Sequence, residues 1–304
     1  MLCFSFSLGT QGNAVLQDHF KKAEGKTSIS KMRNVDFIYM INLDQRPEKF
    51  QKCQDQLNPY GIYPYRFSAV NGWELSIETI NDVGLKFAPG MKGGFWATSY
   101  LPENNFQPTH EIIQNYGQTY FCHSTARGTI GISLSHLSVL QDAYNAGYQT
   151  IWVMEDDIEV IRDPRELSDL IDELDSLVGS KKWDVLFTDQ DIRAADGSYV
   201  PSRGMAQRPD FQPKSLSQYY VNKKVGDAFI LKGSRFGAHS MILRRSGIKK
   251  ILDFVKKYNV FLPYDMEYYL PPGIRMYSLQ EDVVSNQMKA LSDNGAPNYS
   301  KVKK

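Results

Sequence analysis

The sequence has few cysteines and no long apolar run. Three cysteines, Cys3, Cys53 and Cys122, occur in 304 residues, and they are too few and too scattered for a disulfide framework or a zinc site. No segment approaches the roughly 18 consecutive apolar residues that indicate a membrane-spanning helix. The apolar residues 1–8 lack the basic region of a signal peptide. We therefore expect a soluble, cytoplasmic protein.

Charge of one sign is not in excess either. Lys and Arg total 35 against 34 for Asp and Glu, whereas a nucleic-acid-binding protein needs a strongly basic footprint. We expect no nucleic-acid partner. Basic residues at Lys249, Lys250, Lys256, Lys257 and 301–304 leave peripheral contact with the cytoplasmic face of a membrane open. Solvated helix faces and a frayed end explain these residues more simply.

Several motifs of phosphate binding and hydrolysis are missing. Neither G-x-G-x-x-G nor G-x-x-x-x-G-K-[ST] occurs, which argues against a Rossmann dehydrogenase and a P-loop enzyme. No G-x-S-x-G segment offers the nucleophile elbow of a hydrolase. No two histidines have the H-x-x-x-H spacing of a zinc hydrolase. The histidines are His19, His110, His123, His136 and His239.

Two kinds of apolar pattern alternate along the chain. An apolar run typical of a buried strand lies at 35–43, and further strands are predicted at 65–70, 150–154, 183–188 and 239–243. Segments with helical spacing of apolar residues begin near residues 47, 137, 164 and 247. This alternation predicts an α/β fold with a Rossmann-like, mainly parallel sheet and helices on both faces. Residues 1–33 are predicted to be an N-terminal tail or extension, and residues 34–304 the main domain.

Less regular segments interrupt this pattern. Residues 75–127 and 197–226 are rich in Gly, Pro and aromatic residues, and we predict long loop insertions there. Before the first predicted helix, Asp44 is expected to cap and Pro47 to occupy the first turn. Before the second, the Gly- and Ser-rich residues 128–136 are expected to lead into a helix that starts near His136.

The most informative local feature is the acidic triplet Glu155-Asp156-Asp157, which follows the apolar residues 151–154. Ligands of open α/β sheets bind outside the carboxyl ends of strands. Glu155 and Asp157 project to one side of the strand and Asp156 to the other. Such carboxylates suit Mn²⁺ or Mg²⁺, but an acidic strand end that only solvates a loop is the alternative. A second pair, Asp189 and Asp191, competes for the same role.

Four segments, in order and rough spacing, resemble glycosyltransferase family 25. They are Ile41-Asn-Leu-Asp-Gln-Arg-Pro-Glu48, Arg66-Phe-Ser-Ala-Val-Asn-Gly72, Gly128-Thr-Ile-Gly-Ile-Ser-Leu-Ser-His136 and Val153-Met-Glu-Asp-Asp157. Gly237-Ala-His-Ser-Met-Ile-Leu243 and Pro263-Tyr-Asp265 resemble later motifs of that family. The family contains lipooligosaccharide β-galactosyltransferases and collagen galactosyltransferases. The resemblance implies a GT-A fold, a UDP-sugar donor (usually UDP-galactose), Mn²⁺ dependence and inversion at the anomeric carbon.

The resemblance also implies roles for particular residues. Glu155 and Asp157 would be the two ends of the metal-binding motif, and Asp265 the general base. A helix cap is the alternative for Asp265. His239 is a weaker candidate as a nitrogen ligand of the metal, because a lone His on an apolar strand is more often structural.

The donor side would include Asn42, Arg46, Asn71, His136 and Asp156. For Arg46 an exposed position at a helix start is the alternative, and for His136 a packed, hydrogen-bonded position. The sequence departs from the family pattern on this side. Asn71 replaces Asp, Thr129 replaces Glu and Ile132 replaces Cys.

The acceptor would be a hydroxyl of a lipooligosaccharide, another glycan or glycolipid, or a protein. Two other functions stay open from the residues alone. A nucleotidyltransferase acting on sugar phosphates shares the sheet and the acidic motif, but it normally carries a Gly-rich, Arg-bearing loop where Asn42-Leu-Asp-Gln-Arg46 stands. A non-catalytic carbohydrate- or nucleotide-sugar-binding domain is the second alternative, and Asn71 and Thr129 leave it open.

Overall fold

A computed structural model of the chain describes residues 13–26, 32–104 and 107–301. The strands are β1 (Phe37–Asn42), β2 (Tyr65–Ser68), β3 (Leu85–Lys86), β4 (Trp96–Tyr100), β5 (Pro108–Ile112), β6 (Thr119–Cys122), β7 (Thr150–Glu155), β8 (Ile158–Val160), β9 (Val185–Phe187), β10 (Asn222–Val225), β11 (Phe229–Lys232), β12 (Ser240–Arg244), β13 (Met276–Leu279) and β14 (Val284–Asn286). The α-helices are α1 (Asn13–Asp18), α2 (Pro47–Leu57), α3 (Ile77–Val83), α4 (Arg127–Asn145), α5 (Leu167–Val178), α6 (Arg245–Tyr258) and α7 (Tyr264–Glu267).

The central sheet has eight strands in the order β10-β11-β13-β9-β12-β7-β1-β2. β1 pairs in parallel with β2 and β7, and β9 pairs in parallel with β13. The pairs of β12 with β7 and β9 are antiparallel, as are those of β11 with β13 and β10. Only β11 and β12 therefore run against the other strands. The predicted mainly parallel sheet is correct for the direction of most strands but wrong for four of the seven pairings.

Helices cover both faces of this sheet, as predicted. Tyr39 and Ile41 of β1 point into a core that includes residues of α4 and α6. Ile38 and Met40 point to the opposite face, into a core that includes residues of α2 and α5. Because successive side chains of a strand alternate between faces, a strand covered on both sides is apolar throughout. The buried strands predicted from apolar runs correspond to β1, β2, β7, β9 and β12.

The predicted loop insertion at 75–127 is wrong. This segment contains α3 and a second sheet of four antiparallel strands in the order β3-β6-β4-β5. These strands are only two to five residues long, and Gly and Pro residues separate them, so no period of two is sustained. The prediction for 197–226 is closer, because a 3₁₀ helix at Ser217–Tyr220 and β10 are its main regular elements.

Helix α4 starts earlier than predicted. It begins at Arg127, so His136 lies in the middle of the helix. A Cβ atom at Gly131 would lie 2.6 Å from the carbonyl oxygen of Val70 and closer still to the backbone nitrogen of Gly72. Glycine therefore allows α4 to contact the chain after β2 backbone to backbone. The Gly- and Ser-rich composition that concealed this part of the helix follows from that contact.

The predicted cap of α2 is also wrong. Pro47 occupies its first turn as expected, but Arg46 precedes it and no side chain caps the helix. Asp44 instead accepts hydrogen bonds from Arg66 Nη2 at 2.8 Å and Ser68 Oγ at 2.7 Å. Asp44 thus links the loop after β1 to β2.

The N-terminal segment 13–26 packs on the main domain. Helix α1 contacts α3 and α6, and its Leu16 is fully buried. Lys26 Nζ lies 2.6 Å from an oxygen of Asp142 on α4. Of the predicted extension, residues 1–12 and 27–31, which include Cys3, fall outside the described part, as do residues 302–304 of the basic C-terminal segment. No helix in the described ranges combines the length and the hydropathy needed to cross a membrane.

Candidate functional site

Polar residues meet at one edge of the central sheet because of the strand directions. The parallel strands β1 and β7 end there at Asn42 and Glu155, and β9 ends there just before Asp189. β12 runs the other way, so His239, directly before it, also lies at this edge. This is the edge where open α/β sheets bind ligands.

Asp156 lies on the α2 side of this edge. Asn42 Nδ2 donates to Asp156 Oδ2 at 2.6 Å and to the carbonyl oxygen of Arg46 at 2.8 Å. Arg66 Nε in turn donates to Asn42 Oδ1 at 2.7 Å. Lys49 Nζ is 3.7 Å from Asp156 Oδ1. Burial raises the pKa of Asp156 despite the nearby Lys49 ammonium. The predicted donor residues Asn42 and Asp156 are thus in direct contact.

Glu155 lies on the opposite side and contacts His136. His136 Nε2 is 2.8 Å from Glu155 Oε1, and the fully buried imidazole stacks on Tyr264 with ring centroids 4.2 Å apart. Burial alone would raise the pKa of Glu155, but the hydrogen bond and the charge of His136 outweigh it and lower that pKa. His136, predicted to lie on the donor side, is therefore a partner of the acidic triplet.

Asp157 has no such partner. Its Oδ1 atom is buried and lacks a hydrogen bond. Burial, and then the charges of Glu155 and Asp156, raise its pKa to about 7. A buried polar atom in this state is rare, and a cation would remove both the missing partner and the repulsion between carboxylates. The carboxylate oxygens of Glu155 and Asp157 are the hard donors that Mn²⁺ and Mg²⁺ prefer, so this pair fits such an ion.

His239 is not joined to that pair as a third ligand. Across the described ranges, no group of three or more His, Cys, Asp or Glu side chains is arranged to hold a metal ion. His239 Nε2 instead lies 2.8 Å from Asp189 Oδ2. Mg²⁺ usually takes only one or two protein carboxylates and completes its coordination with water and substrate phosphates.

Asp189 and Asp191 are engaged by protein cations. Asp189 Oδ1 accepts from the guanidinium of Arg235, and Asp191 Oδ2 accepts from Lys232 Nζ at 2.7 Å. Ser285 Oγ adds a third donor to Asp189 at 3.0 Å, beside His239. These contacts neutralise the second acidic pair, whereas Glu155-Asp156-Asp157 retains excess negative charge. Asp189 and Asp191 thus have protein cations as partners, whereas Asp157 has no hydrogen bond at Oδ1.

Asp265 lies near the start of the short helix α7. Its Oδ2 atom accepts a hydrogen bond from the backbone N–H of Gly237 at 3.0 Å. The helix is preceded by Pro263 and has no side-chain cap, so Asp265 does not cap it. Burial raises the pKa of Asp265; the Gly237 hydrogen bond opposes this rise and the Glu155 charge adds to it. A carboxyl group with a raised pKa is a stronger base.

Arg46 and Asn71 bond to protein groups. Arg46 is buried, and its Nε and Nη2 atoms donate to the two carboxylate oxygens of Asp293 at 2.8 and 2.9 Å. The side chain of Asn71 accepts from the Trp73 backbone N–H at 3.2 Å and donates to Tyr299 Oη at 3.0 Å. The exposed helix-start position considered for Arg46 is therefore not found.

Sequence reasoning missed Lys49 and Asp293. Lys49 lies three residues after Arg46, which places both on one face of a helix start, and this spacing was an available signal. Asp293 is far from any motif and offers none. Next to these residues a cavity of about 540 Å³ lies between α2 and residues 287–291, with Asp156 in its wall.

Comparisons with known proteins agree with these features. The family model described as "Glycosyltransferase family 25 (LPS biosynthesis protein)" matches residues 35–267. A Drosophila melanogaster protein named "Glycosyltransferase 25 family member" is 30% identical over 143 residues, 47% of this chain and 19% of that protein. A Danio rerio protein named "Procollagen galactosyltransferase 1" is 24% identical over 153 residues, 50% of this chain and 21% of that protein.

A human relative is named "Inactive glycosyltransferase 25 family member 3" and is 22% identical over 153 residues, 50% of this chain and 21% of that protein. The alignments with these three relatives span only about a fifth of their lengths. The family model, in contrast, covers most of the present chain, from β1 to α7. On this match, the chain belongs to glycosyltransferase family 25.

Proposed function

We propose that this chain is an inverting, metal-dependent glycosyltransferase of GT-A type that transfers galactose from a UDP-sugar to an acceptor hydroxyl. The observation that carries the proposal is the buried Asp157 carboxylate. It lacks a hydrogen bond at Oδ1 and lies beside Glu155 and Asp156 at the ligand-binding edge of the sheet. A family-25 chain whose Asp157 lacks a partner at Oδ1 in this position has the groups that a nucleotide-sugar transferase needs.

The leaving group sets the first requirement. Cleavage of the sugar–phosphate bond places growing negative charge on the diphosphate of UDP. A divalent ion, when bound, supplies Lewis-acid stabilisation of this charge. Glu155 and Asp157 would hold the ion. Lys49, 3.7 Å from Asp156, places a further positive charge at this edge of the sheet, next to the 540 Å³ cavity.

The acceptor sets the second requirement. Its hydroxyl must lose a proton as it attacks the anomeric carbon, and inversion places the base on the face opposite the leaving UDP. Asp265 would take this proton. The Gly237 N–H orients its carboxylate, and its raised pKa suits a group that accepts a proton in the transition state.

The acceptor class is proposed from the relatives. The matching family model carries the description "LPS biosynthesis protein", and one relative is named a procollagen galactosyltransferase. We propose a hydroxyl of a lipooligosaccharide or another glycan as the acceptor, with a protein hydroxyl as the second class. The second sheet β3-β6-β4-β5 lies outside the central sheet, and we expect acceptor contacts on its exposed residues.

Thermal unfolding with candidate donors tests the proposal without knowledge of the acceptor. The melting temperature is measured with and without Mn²⁺ in the presence of UDP, UDP-galactose, UDP-glucose, UDP-N-acetylglucosamine or GDP-mannose. A ligand at a hundred times its dissociation constant stabilises the folded state by about 2.7 kcal/mol. We expect Mn²⁺-dependent stabilisation by UDP and UDP-galactose. The absence of a shift with every nucleotide would refute the donor site.

Three variants assign the roles. Asp157→Asn is expected to remove the Mn²⁺-dependent shift, and Asp265→Asn to keep the shift while donor turnover is lost. Asp253→Asn, which changes an exposed carboxylate on α6, is the matched control and should behave as the unaltered protein does. Normal turnover by Asp157→Asn would move the metal site elsewhere, and normal turnover by Asp265→Asn would exclude it as the base.

A non-catalytic nucleotide-sugar-binding domain is the second candidate. Mouse and human relatives with 23% and 22% identity are named inactive. This function predicts the same donor-induced stabilisation without any transfer or hydrolysis. Release of free UDP from UDP-galactose during prolonged incubation therefore separates the two candidates.

A further inference from the structure

Residues 235–239 connect the two carboxylate positions of the site. The backbone N–H of Glu155 donates to the carbonyl oxygen of His239 at 2.9 Å. Two residues earlier, the backbone N–H of Gly237 donates to Asp265 Oδ2 at 3.0 Å. One short segment thus contacts both the acidic triplet and the candidate base. Its position determines how these groups lie relative to each other.

Asp189 and Arg235 hold this segment in place. Both side chains are fully buried and form an ion pair with each other. Asp189 also contacts His239 Nε2 at 2.8 Å, at the other end of the segment. The guanidinium of Arg235 lies over the ring of Phe187, 4.2 Å from its centroid. Asp189 therefore bonds to both ends of residues 235–239.

The guanidinium also fixes one particular peptide unit. Arg235 Nη1 donates to the carbonyl oxygen of Phe236 at 3.1 Å. That carbonyl belongs to the same planar peptide as the N–H of Gly237, so fixing the direction of one fixes the other. Gly237 itself has φ of +77°, and a Cβ atom there would overlap Ile192. The turn that presents this N–H to Asp265 therefore requires glycine.

We infer that Asp189 and Arg235 form a positioning pair, which orients the Phe236–Gly237 peptide so that its N–H sets the direction of the Asp265 carboxylate. This inference rests on the proposed function, in which Asp265 accepts the proton of the attacking hydroxyl. The pair does not touch the reacting atoms in this scheme. It differs from a metal site, the role that the sequence left open for Asp189, because both oxygens of Asp189 are used by protein donors.

The test removes both charges together. The double variant Asp189→Asn/Arg235→Gln avoids leaving one buried charge unpaired, which would endanger folding by itself. The matched control is Asp175→Asn/Arg244→Gln at the opposite end of β12. There Arg244 pairs with Asp175 at 2.7 Å and lies over Trp183, 4.3 Å from its ring. The control loses an ion pair and an aromatic contact away from the site, in a partly exposed position.

The first readout is Mn²⁺-dependent hydrolysis of UDP-galactose, with water in place of the acceptor. Water oxygen forms a bond to the anomeric carbon, the bond from that carbon to UDP breaks with its electron pair leaving on UDP, and the water proton passes to Asp265. General bases contribute about 10²–10⁴-fold to rate. We expect the double variant to lose at least about tenfold of kcat, while KM for UDP-galactose changes by less than about threefold.

The second readout is made in a protein that already carries Asp265→Asn. If the pair acts through Asp265, adding Asp189→Asn/Arg235→Gln to Asp265→Asn causes no further loss of kcat. If the pair only supports the fold, its loss lowers kcat further in the Asp265→Asn protein. The decrease would then be similar to that caused by the Asp175→Asn/Arg244→Gln control. Either of these results overturns the inference.

Hydrogen exchange gives a readout that does not need activity. The double variant should increase amide exchange in peptides that cover residues 235–239 and 263–268, whereas the control should leave both unchanged. Unchanged exchange in the double variant would overturn the inference even if the protein is active. If the unaltered protein neither binds UDP nor hydrolyses UDP-galactose, the proposed function fails, and the exchange result alone decides whether the pair orders this segment.

Discussion

Glu155 and Asp157 lie two residues apart in the sequence but differ in their electrostatic surroundings. Glu155 contacts His136, which lowers its pKa in spite of burial. Asp157 has a buried oxygen without a partner and a pKa raised to about 7. One carboxylate is therefore stabilised by the protein alone, whereas the other is stabilised only by a proton or a bound cation.

Asp157→Asn should make the metal-free protein more stable at neutral and higher pH. The unfolded Asp157 titrates near its ordinary value of 3.8 and the folded one near 7. Between these pH values the folded state holds the extra proton, so stability falls as pH rises, and the penalty is complete above pH 7. We expect the variant to gain on the order of 1–2 kcal/mol at pH 8, allowing for solvent screening, and no gain near pH 4.

Urea unfolding at several pH values in the presence of a chelator measures this gain. Mn²⁺ should raise the stability of the unaltered protein at pH 8 and leave that of Asp157→Asn unchanged. Equal stability of the two proteins at every pH would show that burial and the neighbouring carboxylates do not raise the pKa of Asp157.

His136→Phe should cost about 1–2 kcal/mol of stability, because it keeps a ring stacked on Tyr264 but leaves Oε1 of the partly exposed Glu155 without its donor. Tyr264→Phe is the matched control. The hydroxyl of Tyr264 is buried without a hydrogen bond, so its removal should be close to neutral. Chemical denaturation of both variants measures the difference, and equal losses would assign the role of His136 to packing.

At this scale the sequence indicated which carboxylates lie together at the end of β7, because an apolar strand followed by acidic residues is a local pattern. It could not indicate their partners. Asp293 bonds to Arg46 and Arg235 bonds to Asp189 from 247 and 46 residues away, and neither distance leaves a periodic signal. His239 is an example. The sequence made it a weaker candidate for a metal ligand, whereas in the fold it contacts Asp189.

Among the secondary-structure elements, α4 shows how packing overrides composition. Two glycines and two serines make residues 128–136 a poor helix sequence on propensity. The serines nevertheless bond to backbone carbonyls within the helix, such as Ser133 to Thr129 and Ser135 to Gly131. Gly131 allows the contact with the chain after β2. The sequence therefore predicted the second half of the helix and missed the first.

Gly131→Ala should destabilise the protein although alanine favours helices. Alanine improves helix propensity by about 1 kcal/mol, whereas its Cβ would lie 2.6 Å from the Val70 carbonyl oxygen, with backbone on both sides. Overpacking typically costs about 1–3 kcal/mol, and the upper end applies because rigid backbone is the obstacle, so we expect a net loss of up to about 2 kcal/mol. Gly295→Ala, where no atom lies within 4 Å of the new Cβ, is the control. Thermal unfolding of the two variants measures this, and a stabilised Gly131→Ala would contradict the close approach.

Across the whole molecule, the N-terminal segment is part of the core. Sequence analysis predicted an extension before residue 34 because its apolar residues have no period. Leu16 is nevertheless fully buried and joins the larger core, and the backbone N–H of Lys21 donates to Ser138 Oγ on α4 at 2.9 Å. Leu16, the partly buried Phe20 and Ala23, and polar contacts to α4 together attach the segment, and no periodic pattern accompanies them.

Leu16→Ala should therefore lower global stability by about 2–5 kcal/mol, as for other buried leucines. The exposed Lys22→Ala in the same segment should change it by less than about 0.5 kcal/mol. Urea unfolding followed by both tryptophan fluorescence and circular dichroism measures the loss in a single transition. An unchanged midpoint for Leu16→Ala would show that the segment contributes nothing to the core.

The reversed direction of β12 has a consequence for how this chain can vary. β9 leaves the ligand-binding edge at Asp189, and the chain returns to that edge at His239, where the two side chains meet at 2.8 Å. Residues 190–238, which include β10 and β11, leave this edge and return to it, and the contact between Asp189 and His239 joins their two ends. Insertions or exchanges in the outer part of residues 190–238, away from β11, Arg235 and Gly237, would leave both ends where they are. Sequence changes can therefore accumulate in that outer part while the acidic triplet keeps its geometry.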